Sequence, residues 1–208
     1  MSRGVLAVVS GFSGAGKGTV MKALLNKYDN YALSVSATTR NPRPGEENGR
    51  EYFFRTKEEF EQMIADEALI EHACYVGNYY GTPRAYVEEQ LALGRDVILE
   101  IEIQGALQIK KRFPDTLLLF VSTPDAETLK NRLIGRGTES LDVVEKRLSR
   151  ASEEAEGIEN YDYFIINDDL DTCVTQVHQI IQGEHSRVSR NLELINTIKK
   201  DISKFQKG

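Results

Sequence analysis

A glycine-rich segment near the start of the chain, residues 11–19, constrains the fold more than any other feature. It reads Gly-Phe-Ser-Gly-Ala-Gly-Lys-Gly-Thr, follows the apolar run Val5–Val9 and precedes a helical pattern from Thr19 to Leu25. A strand, a glycine loop, a lysine and a helix in this order are typical of a P-loop, whose backbone N–H groups and helix N-terminus bind phosphate. Lys17 can reach the outer phosphates as a compact positive charge. The segment therefore predicts a phosphate-binding loop between a strand and a helix.

The residue after Lys17 departs from the usual P-loop pattern. That position is normally Ser or Thr, whose hydroxyl contacts Mg²⁺, but here it is Gly18, followed by Thr19. P-loop enzymes also place an acid at the end of a buried strand to hold Mg²⁺ or its waters. Glu100 stands near the end of the apolar run Val97–Ile101, although an edge strand with solvated glutamates fits the same letters. The candidate metal residues are therefore Glu100 and Thr19, and the hydroxyl contact stays open.

Short apolar runs alternate with helical patterns along the chain. The runs with strand character are Val5–Val9, Val97–Ile101, Leu117–Val121 and Tyr163–Ile166. Such alternation is typical of an α/β fold with a central parallel sheet flanked by helices.

Three threonines carry signals for the start of a helix. Thr56 with Glu59 predicts a capping box that opens a helix over Lys57–Ala65. Thr82-Pro83 and Thr123-Pro124 each predict an N-cap threonine followed by a proline at the first helical position. Gly94 is expected to end the helix that follows Thr82.

Two regions interrupt the alternation and are predicted to be insertions on the core sheet. The first, residues 35–82, contains short β-like pieces on either side of a loop with the turn signal Asn48-Gly49. The second, residues 124–157, carries two helical stretches joined at residues 136–138. The core then consists of residues 1–34, 83–123 and 158–208.

Arginines are concentrated in these two insertions. Arg40 and Arg43 flank the proline-containing loop, whereas Arg132 and Arg136 stand four residues apart and would share a helix face near Arg147. Charged residues that share one helix face most often form a solvated surface. Because the same chain carries a P-loop, and because the planar guanidinium can bind two phosphate oxygens at once, phosphate contacts are favoured.

The C-terminal region carries apolar residues at spacings of three and four. They are Val188, Leu192, Ile195, Ile198, Ile202 and Phe205. This pattern predicts one long helix or two. The simpler interpretation is a helix packed on the protein's own core, and the alternative is a seam between two copies of the chain.

Charge and composition limit the partners. The chain has 208 residues and a formal net charge of −6, which argues against nucleic acid as the main partner. It contains neither a secretory hydrophobic region before the P-loop nor an apolar run of membrane-spanning length. A cytoplasmic protein without a membrane partner, monomeric or homodimeric, is therefore expected.

Several further motifs, in order along the chain, resemble those of the guanylate kinases, and the resemblance runs from Val5 to about His185. Residues 34–46, Ser-Val-Ser-Ala-Thr-Thr-Arg-Asn-Pro-Arg-Pro-Gly-Glu, resemble the GMP-loop signature of that family. Residues 77–82 and 132–137 resemble two more of its motifs, and residues 167–171 resemble the segment near its adenine site. Any one of these motifs is weak, but the set is specific.

The resemblance implies an α/β P-loop NTPase core with a small α+β GMP-binding insertion at residues 35–82 and a helical lid at 124–157. It implies transfer of the γ-phosphoryl group of ATP to GMP, with Mg²⁺. The residues that would contact GMP are Ser36, Arg40, Arg43, Tyr52, Glu71, Tyr80, Thr82 and Glu102. Those that would contact ATP are Ser13, Gly14, Ala15, Gly16, Lys17, Gly18, Thr19, Arg132, Arg136 and Asn167. The catalytic set would be Lys17, Arg40, Arg43, Arg132, Arg136 and Arg147.

The sequence departs from the family pattern at four positions. Phe12 replaces the usual proline, Gly18 replaces the common Ser or Thr, and Glu100 and Glu102 stand where Asp is common. The longer glutamates leave open which of the two approaches the metal and which approaches GMP. Two other functions stay open as well: a kinase for another nucleoside monophosphate, and a guanylate-kinase-like module that binds proteins.

Overall fold

A computed structural model describes residues 3–75, 77–135 and 141–206 of the chain. Its strands are β1 (Leu6–Gly11), β2 (Tyr31–Leu33), β3 (Ala37–Thr38), β4 (Phe53–Phe54), β5 (Leu69–Tyr75), β6 (Asn78–Pro83), β7 (Asp96–Glu100), β8 (Leu117–Ser122) and β9 (Tyr163–Ile166). Its α-helices are α1 (Lys17–Lys27), α2 (Lys57–Ala65), α3 (Arg84–Ala92), α4 (Ile103–Arg112), α5 (Ala126–Ile134), α6 (Leu141–Ala155), α7 (Leu170–Glu184) and α8 (Leu192–Ser203).

The central sheet has five strands in the order β2-β7-β1-β8-β9, and every neighbouring pair is parallel. Helices α1 and α7 cover one face of it and α3 and α4 cover the other. Strand β1 lies in the middle and β8 is buried along its whole length, which explains the continuous apolar runs. The predicted parallel sheet flanked by helices is confirmed. Since all five strands point the same way, the loops after β1, β7 and β8 gather at one edge.

A second, smaller sheet contains four strands in the order β4-β3-β6-β5. Strands β3 and β4 pair in parallel, whereas β6 runs antiparallel to both β3 and β5. Helix α2 packs on this sheet through Phe60, which contacts Ala37 and Leu69. The predicted capping box is confirmed, because Thr56 Oγ1 accepts from Glu59 N at 3.1 Å and Glu59 accepts from Thr56 N at 2.8 Å.

Two predicted helix starts are wrong. Thr82 belongs to strand β6, and α3 begins only at Arg84 after Pro83. The N-cap of α5 is Asp125 rather than Thr123, because the Asp125 carboxylate accepts from Thr128 N at 2.6 Å. The predicted end of α3 is confirmed, since Gly94 follows the helix with φ of +81°.

Helices α5 and α6 form a pair at the side of the central sheet. Leu129 and Leu133 of α5 pack against Ala151 of α6. This confirms the two predicted helical stretches of the second insertion. Their predicted junction, including Arg136, lies outside the described residues.

Helix α7 fills the core face next to α1, with Val174, Val177 and Ile181 fully buried. Helix α8, in contrast, contains no buried residue, and the exposed fraction is 51% at Leu192 and 55% at Ile202. The prediction that this apolar pattern packs on the protein's own core is therefore wrong. Helix α7 already covers the face of the central sheet next to α1. No helix in the described part of the chain combines the length and apolar character needed to cross a membrane.

Candidate active site

The P-loop connects β1 to α1 and curls tightly at Gly16. This residue has φ of +87° and is the N-cap of α1. A Cβ atom at Gly16 would lie only 2.6 Å from Asn167 Nδ2, so the position needs glycine for both its backbone conformation and its surroundings. The loop therefore presents the first turn of α1 at the edge of the sheet, where the N–H groups of a helix start attract anions.

Lys17 reaches back over the loop. Its Nζ donates to the carbonyl oxygens of Gly11, at 2.6 Å, and Phe12, at 3.1 Å. Phe12, where the related motif has proline, packs edge-on against Phe120 with ring centroids 5.0 Å apart. Glu100, at the end of β7, interacts electrostatically with Lys17. Desolvation raises the pKa of the Glu100 carboxyl, and the positive charge of Lys17 opposes that shift.

Residues from the second insertion and from the end of β9 meet the P-loop on another side. Arg147 Nη1 of α6 lies 3.4 Å from Ser13 Oγ, and Arg132 Nη1 of α5 is 4.0 Å from where a Cβ of Gly16 would stand. Asn167 follows β9 and is almost fully buried, and its amide donates to Ala15 O at 2.7 Å. The structure thus brings Arg132 and Asn167, predicted at the ATP site, and Arg147, predicted in the catalytic set, to one loop. Gly18 and Thr19 are exposed at the start of α1.

A second cluster surrounds Arg40, in the loop after β3. Its Nη2 lies 2.9 Å from both carboxylate oxygens of Glu46. Its guanidinium stands 5.3 Å from the ring centre of Tyr52, and the rings of Tyr52 and Tyr80 are 6.1 Å apart. Sequence reasoning proposed the arginine and both tyrosines but gave Glu46 no role. An acid six residues after an arginine, across a Pro-Gly turn, is the signal that could have identified it.

The electrostatics of Tyr52 connect this cluster to the end of β7. Burial raises the pKa of the Tyr52 hydroxyl, and the negative charge of Glu100 is one of the smaller contributions in the same direction. Arg43, the other predicted arginine of this loop, has an exposed side chain. Its backbone N–H donates to Glu46 Oε2 at 2.7 Å.

Glu71 is a carboxyl buried within the smaller sheet. It lies on β5 with only 4% of its surface exposed, and Oε1 accepts a hydrogen bond from the Thr82 hydroxyl at 2.7 Å. Burial raises its pKa to about 7, against the opposing effect of the Thr82 hydrogen bonds. On its other side lies the first turn of α4, where a Cβ at Gly105 would come within 2.9 Å of Oε2. Thr82, predicted as a helix cap, instead positions this acid.

The remaining candidates lie around these groups. Ser36 is half-buried just before β3, and its carbonyl accepts from Phe53 N at 2.9 Å. Glu102 is the exposed N-cap residue of α4 and makes no side-chain capping bond. Within residues 3–75, 77–135 and 141–206, no three His, Cys, Asp or Glu side chains cluster as a metal site would require. A metal held mainly by protein side chains is therefore not seen in that part of the chain.

Comparisons with known proteins point to one family. The guanylate kinase family model matches residues 3–184. The chain is 50% identical over 191 residues to the guanylate kinase of Lactococcus lactis subsp. lactis, covering 92% of this chain and 93% of that protein. It is 47% identical over 205 residues to the guanylate kinase of Listeria innocua, covering 98% of each. The crystal structure of guanylate kinase from Anaplasma phagocytophilum superposes with a TM-score of 0.74 at 31% identity, covering 91% of this chain and 90% of that one.

Proposed function

Since the chain belongs to the guanylate kinase family, we propose that its P-loop and the Arg40–Glu71 region are the two halves of one site. The protein is a nucleoside monophosphate kinase that transfers a phosphoryl group from ATP to GMP. The proposal concerns which residues perform that transfer, and the residues fall into a base-reading group, a phosphate-binding group and an ATP-binding group.

The buried Glu71–Thr82 pair is the observation that carries this proposal. The Watson–Crick edge of guanine presents N1–H and N2–H₂ donors beside the O6 acceptor. An ionised carboxylate only accepts hydrogen bonds, so Glu71 can pair with both donors. The Ser36 hydroxyl donates to O6, or the Thr82 hydroxyl does so after turning away from Glu71, to which it donates in the free protein. Adenine offers an acceptor at N1 and would leave the buried charge unpaired, which is costly. The burial of Glu71, which is only 4% exposed, supports such strict selection.

The phosphate of GMP and the phosphates of ATP are assigned to different parts of the site. We assign the GMP phosphate to Arg40, Arg43, Tyr52 and Tyr80, and the Arg40–Tyr52 and Tyr52–Tyr80 contacts support this assignment. We place Glu102 beside the GMP sugar or base. The ATP phosphates lie on the P-loop from Ser13 to Thr19 with Lys17. Arg132, Arg136 and Arg147 would come from the lid, and Asn167 would lie near adenine.

In the reaction, the bond from the γ-phosphorus to ADP breaks and a bond to a GMP phosphate oxygen forms. No general base is needed, because that oxygen is already an anion.

Magnesium fits this site as an ion bound chiefly by nucleotide phosphates and water. Mg²⁺ prefers oxygen ligands and commonly takes only one or two carboxylates from the protein, and Glu100 supplies one at the end of β7. The ion would neutralise charge on the transferring phosphate. Thr19 is the second candidate, because Gly18 offers no hydroxyl.

We also propose that residues 35–82 act as the GMP-binding region and residues 124–157 as the lid on a core of 1–34, 83–123 and 158–208. The expected location is the cytoplasm, where both nucleotides occur, and the protein would be a monomer or a homodimer. A kinase for another nucleoside monophosphate would not need a buried carboxylate such as Glu71 to pair with the N1–H and N2–H₂ donors of guanine. A protein-binding module would have no use for the intact Lys17 loop and lid arginines.

A coupled ADP-release assay across GMP, AMP, CMP and UMP tests the proposed function. We expect turnover with ATP and GMP that requires Mg²⁺, and little turnover with the others. Glu100→Gln should raise the Mg²⁺ concentration needed for half-maximal rate more than Thr19→Ala does. A higher kcat/KM for another monophosphate would contradict the GMP assignment, and no turnover at all, with ATP binding absent, would favour the protein-binding alternative.

A further inference from the structure

We propose that Glu46 is a positioning residue that holds Arg40 and the Arg43 backbone ready for the GMP phosphate. This inference rests on the proposed function, because it deepens the assignment of the GMP-phosphate subsite. It concerns a residue that sequence reasoning left without a role and that does not itself need to touch the substrate.

One carboxylate ties both arginine positions of the loop together. Both oxygens of Glu46 lie 2.9 Å from Arg40 Nη2, and Oε2 also accepts from Arg43 N at 2.7 Å. The Glu46 backbone closes the same turn, since its N–H donates to Arg43 O at 3.0 Å. Arg40 Nη1 donates to Asn41 O at 2.7 Å. The loop from residue 40 to 46 is therefore fixed at both ends by one side chain.

Two aromatic rings lie beside the same guanidinium. Arg40 Cζ lies 5.3 Å from the Tyr52 ring centre and 5.8 Å from that of Phe54. The side chains of Arg40 and Glu46 are only 16% and 17% exposed. A guanidinium that contacts two rings and a carboxylate in this way has little rotational freedom left to lose. The Arg40 side chain therefore loses its conformational entropy during folding rather than during GMP binding.

An acid at this place needs a reason, because the incoming phosphate is itself negative and would be repelled by it. The Arg43 backbone N–H and the Arg40 guanidinium keep the pKa of Glu46 low, so the repulsion is present across the neutral pH range. Like charges close to a phosphate weaken its binding unless they organise the groups that bind it. Positioning of Arg40 and Arg43 is the role that its three close contacts support.

The test compares GMP with guanosine in the variants Glu46→Ala and Glu46→Gln. Guanosine shares the base and the sugar with GMP but lacks the phosphate. We expect Glu46→Ala to weaken GMP binding by about tenfold or more, as lost preorganisation of a charged contact does. Glu46→Gln, which keeps an acceptor for Arg43 N, should lose less. Guanosine binding and binding of a non-hydrolysable ATP analogue should stay within about twofold of wild type in both variants.

Glu47→Ala is the matched control. Glu47 is the neighbouring exposed acid, whose carboxylate pairs with Arg50 at 2.9 Å on the surface, and its removal should leave GMP binding unchanged. GMP binding in Glu46→Ala that equals or exceeds the wild-type affinity would overturn the positioning role. An equal loss for guanosine would overturn it too, since the damage would then lie outside the phosphate subsite. Arg40→Ala separates the two proposals. If this variant binds GMP as wild type does, the assignment of the GMP phosphate to Arg40 fails. If Arg40→Ala weakens GMP binding and Glu46→Ala does not, only the role of Glu46 fails.

Discussion

At the scale of single residues, the pKa of Glu71 links base recognition to pH. Burial raises this pKa to about 7, so the free protein holds a largely neutral carboxyl at pH 6 and a largely ionised one at pH 8. Pairing with guanine N1–H and N2–H₂ requires the ionised form. The dissociation constant for guanosine should therefore rise as pH falls below 7, approaching tenfold per pH unit. Guanosine is the correct ligand because it lacks a titrating phosphate.

Titration calorimetry between pH 6 and 8.5 measures this effect, with Glu71→Gln as the control that should show a flat profile. A flat profile in the wild type would mean that Glu71 is already ionised or does not read the base. The same shift has the opposite sense for folding. Because the folded protein retains a proton that the unfolded chain releases above its ordinary pKa of 4.5, this group's contribution to stability falls as pH rises from 4.5 to about 7.

Gly105 leaves the space that the second oxygen of Glu71 occupies. A Cβ there would stand 2.9 Å from Oε2 and 3.2 Å from the Ile101 side chain. We expect Gly105→Ala to displace the carboxylate and raise KM for GMP by about tenfold or more, with KM for ATP unchanged, because a buried hydrogen-bonding group is misplaced. Steady-state kinetics with each substrate varied in turn measures the two constants.

Gly183→Ala is the matched control, because a Cβ at that position of α7 meets nothing within 4 Å. Glu71→Asp combined with Gly105→Ala should recover part of the lost GMP affinity, since the shorter side chain withdraws from the new methyl group. Equal increases in both KM values, or no recovery in the double variant, would count against the steric account.

Residue chemistry was predictable from sequence where it depends on local spacing, and not where it depends on packing. The P-loop order around Lys17 is local, so its position between β1 and α1 followed directly from the letters. The role of Thr82 is not local: its spacing before Pro83 indicated a helix cap, but β6 continues through it and directs its hydroxyl to Glu71. Asp125 similarly displaced Thr123 as a cap, because its carboxylate reaches Thr128 N at 2.6 Å.

At the scale of elements, α8 is the helix that sequence periodicity predicted least well. Its apolar spacing is the same as that of a packed helix, yet none of its residues is buried, because periodicity does not say which surface is available. We expect deletion of residues 192–206 to change the melting temperature by less than about 3 °C and to leave kcat unchanged, since little apolar area returns to water.

Ile181→Ala in α7 provides the contrast. Ile181 is fully buried, and its truncation should cost about 2–5 kcal/mol of unfolding free energy. Differential scanning calorimetry compares the two variants, and sedimentation velocity on the shortened chain tests the dimer seam at the same time. A large loss of stability on deleting α8 would show that the helix is packed in solution, within one chain or between two.

At the scale of the whole molecule, parallel-strand topology brings distant segments to one edge. The alternation of runs predicted the parallel sheet, but the order β2-β7-β1-β8-β9 rests on long-range pairing that single runs do not encode. That order places Glu100 of β7 next to the P-loop of β1, which explains why Lys17 and Glu100 interact. The smaller sheet and the α5–α6 pair then stand as separate units beside the core.

Two arginine clusters on separate units predict closure when both nucleotides bind. Arg40 lies beside the smaller sheet and Arg147 lies on α6, so contact with adjoining phosphates would draw these units together. Small-angle X-ray scattering should give a smaller radius of gyration with GMP plus a non-hydrolysable ATP analogue than without ligands, with a smaller change for either alone. An unchanged radius at saturating concentrations of both ligands would contradict closure.

The central claim is that one buried carboxylate makes this kinase select guanine, and kcat/KM for GMP and AMP in wild type and Glu71→Gln tests it most directly. A site built on such hydrogen bonds can reject a mismatched analogue by roughly 10⁴, so wild type should prefer GMP by at least about 10³. The variant should lose most of that preference through weaker use of GMP, while its binding of an ATP analogue stays intact. An unchanged GMP preference in Glu71→Gln would contradict the claim and assign recognition of the base to another residue.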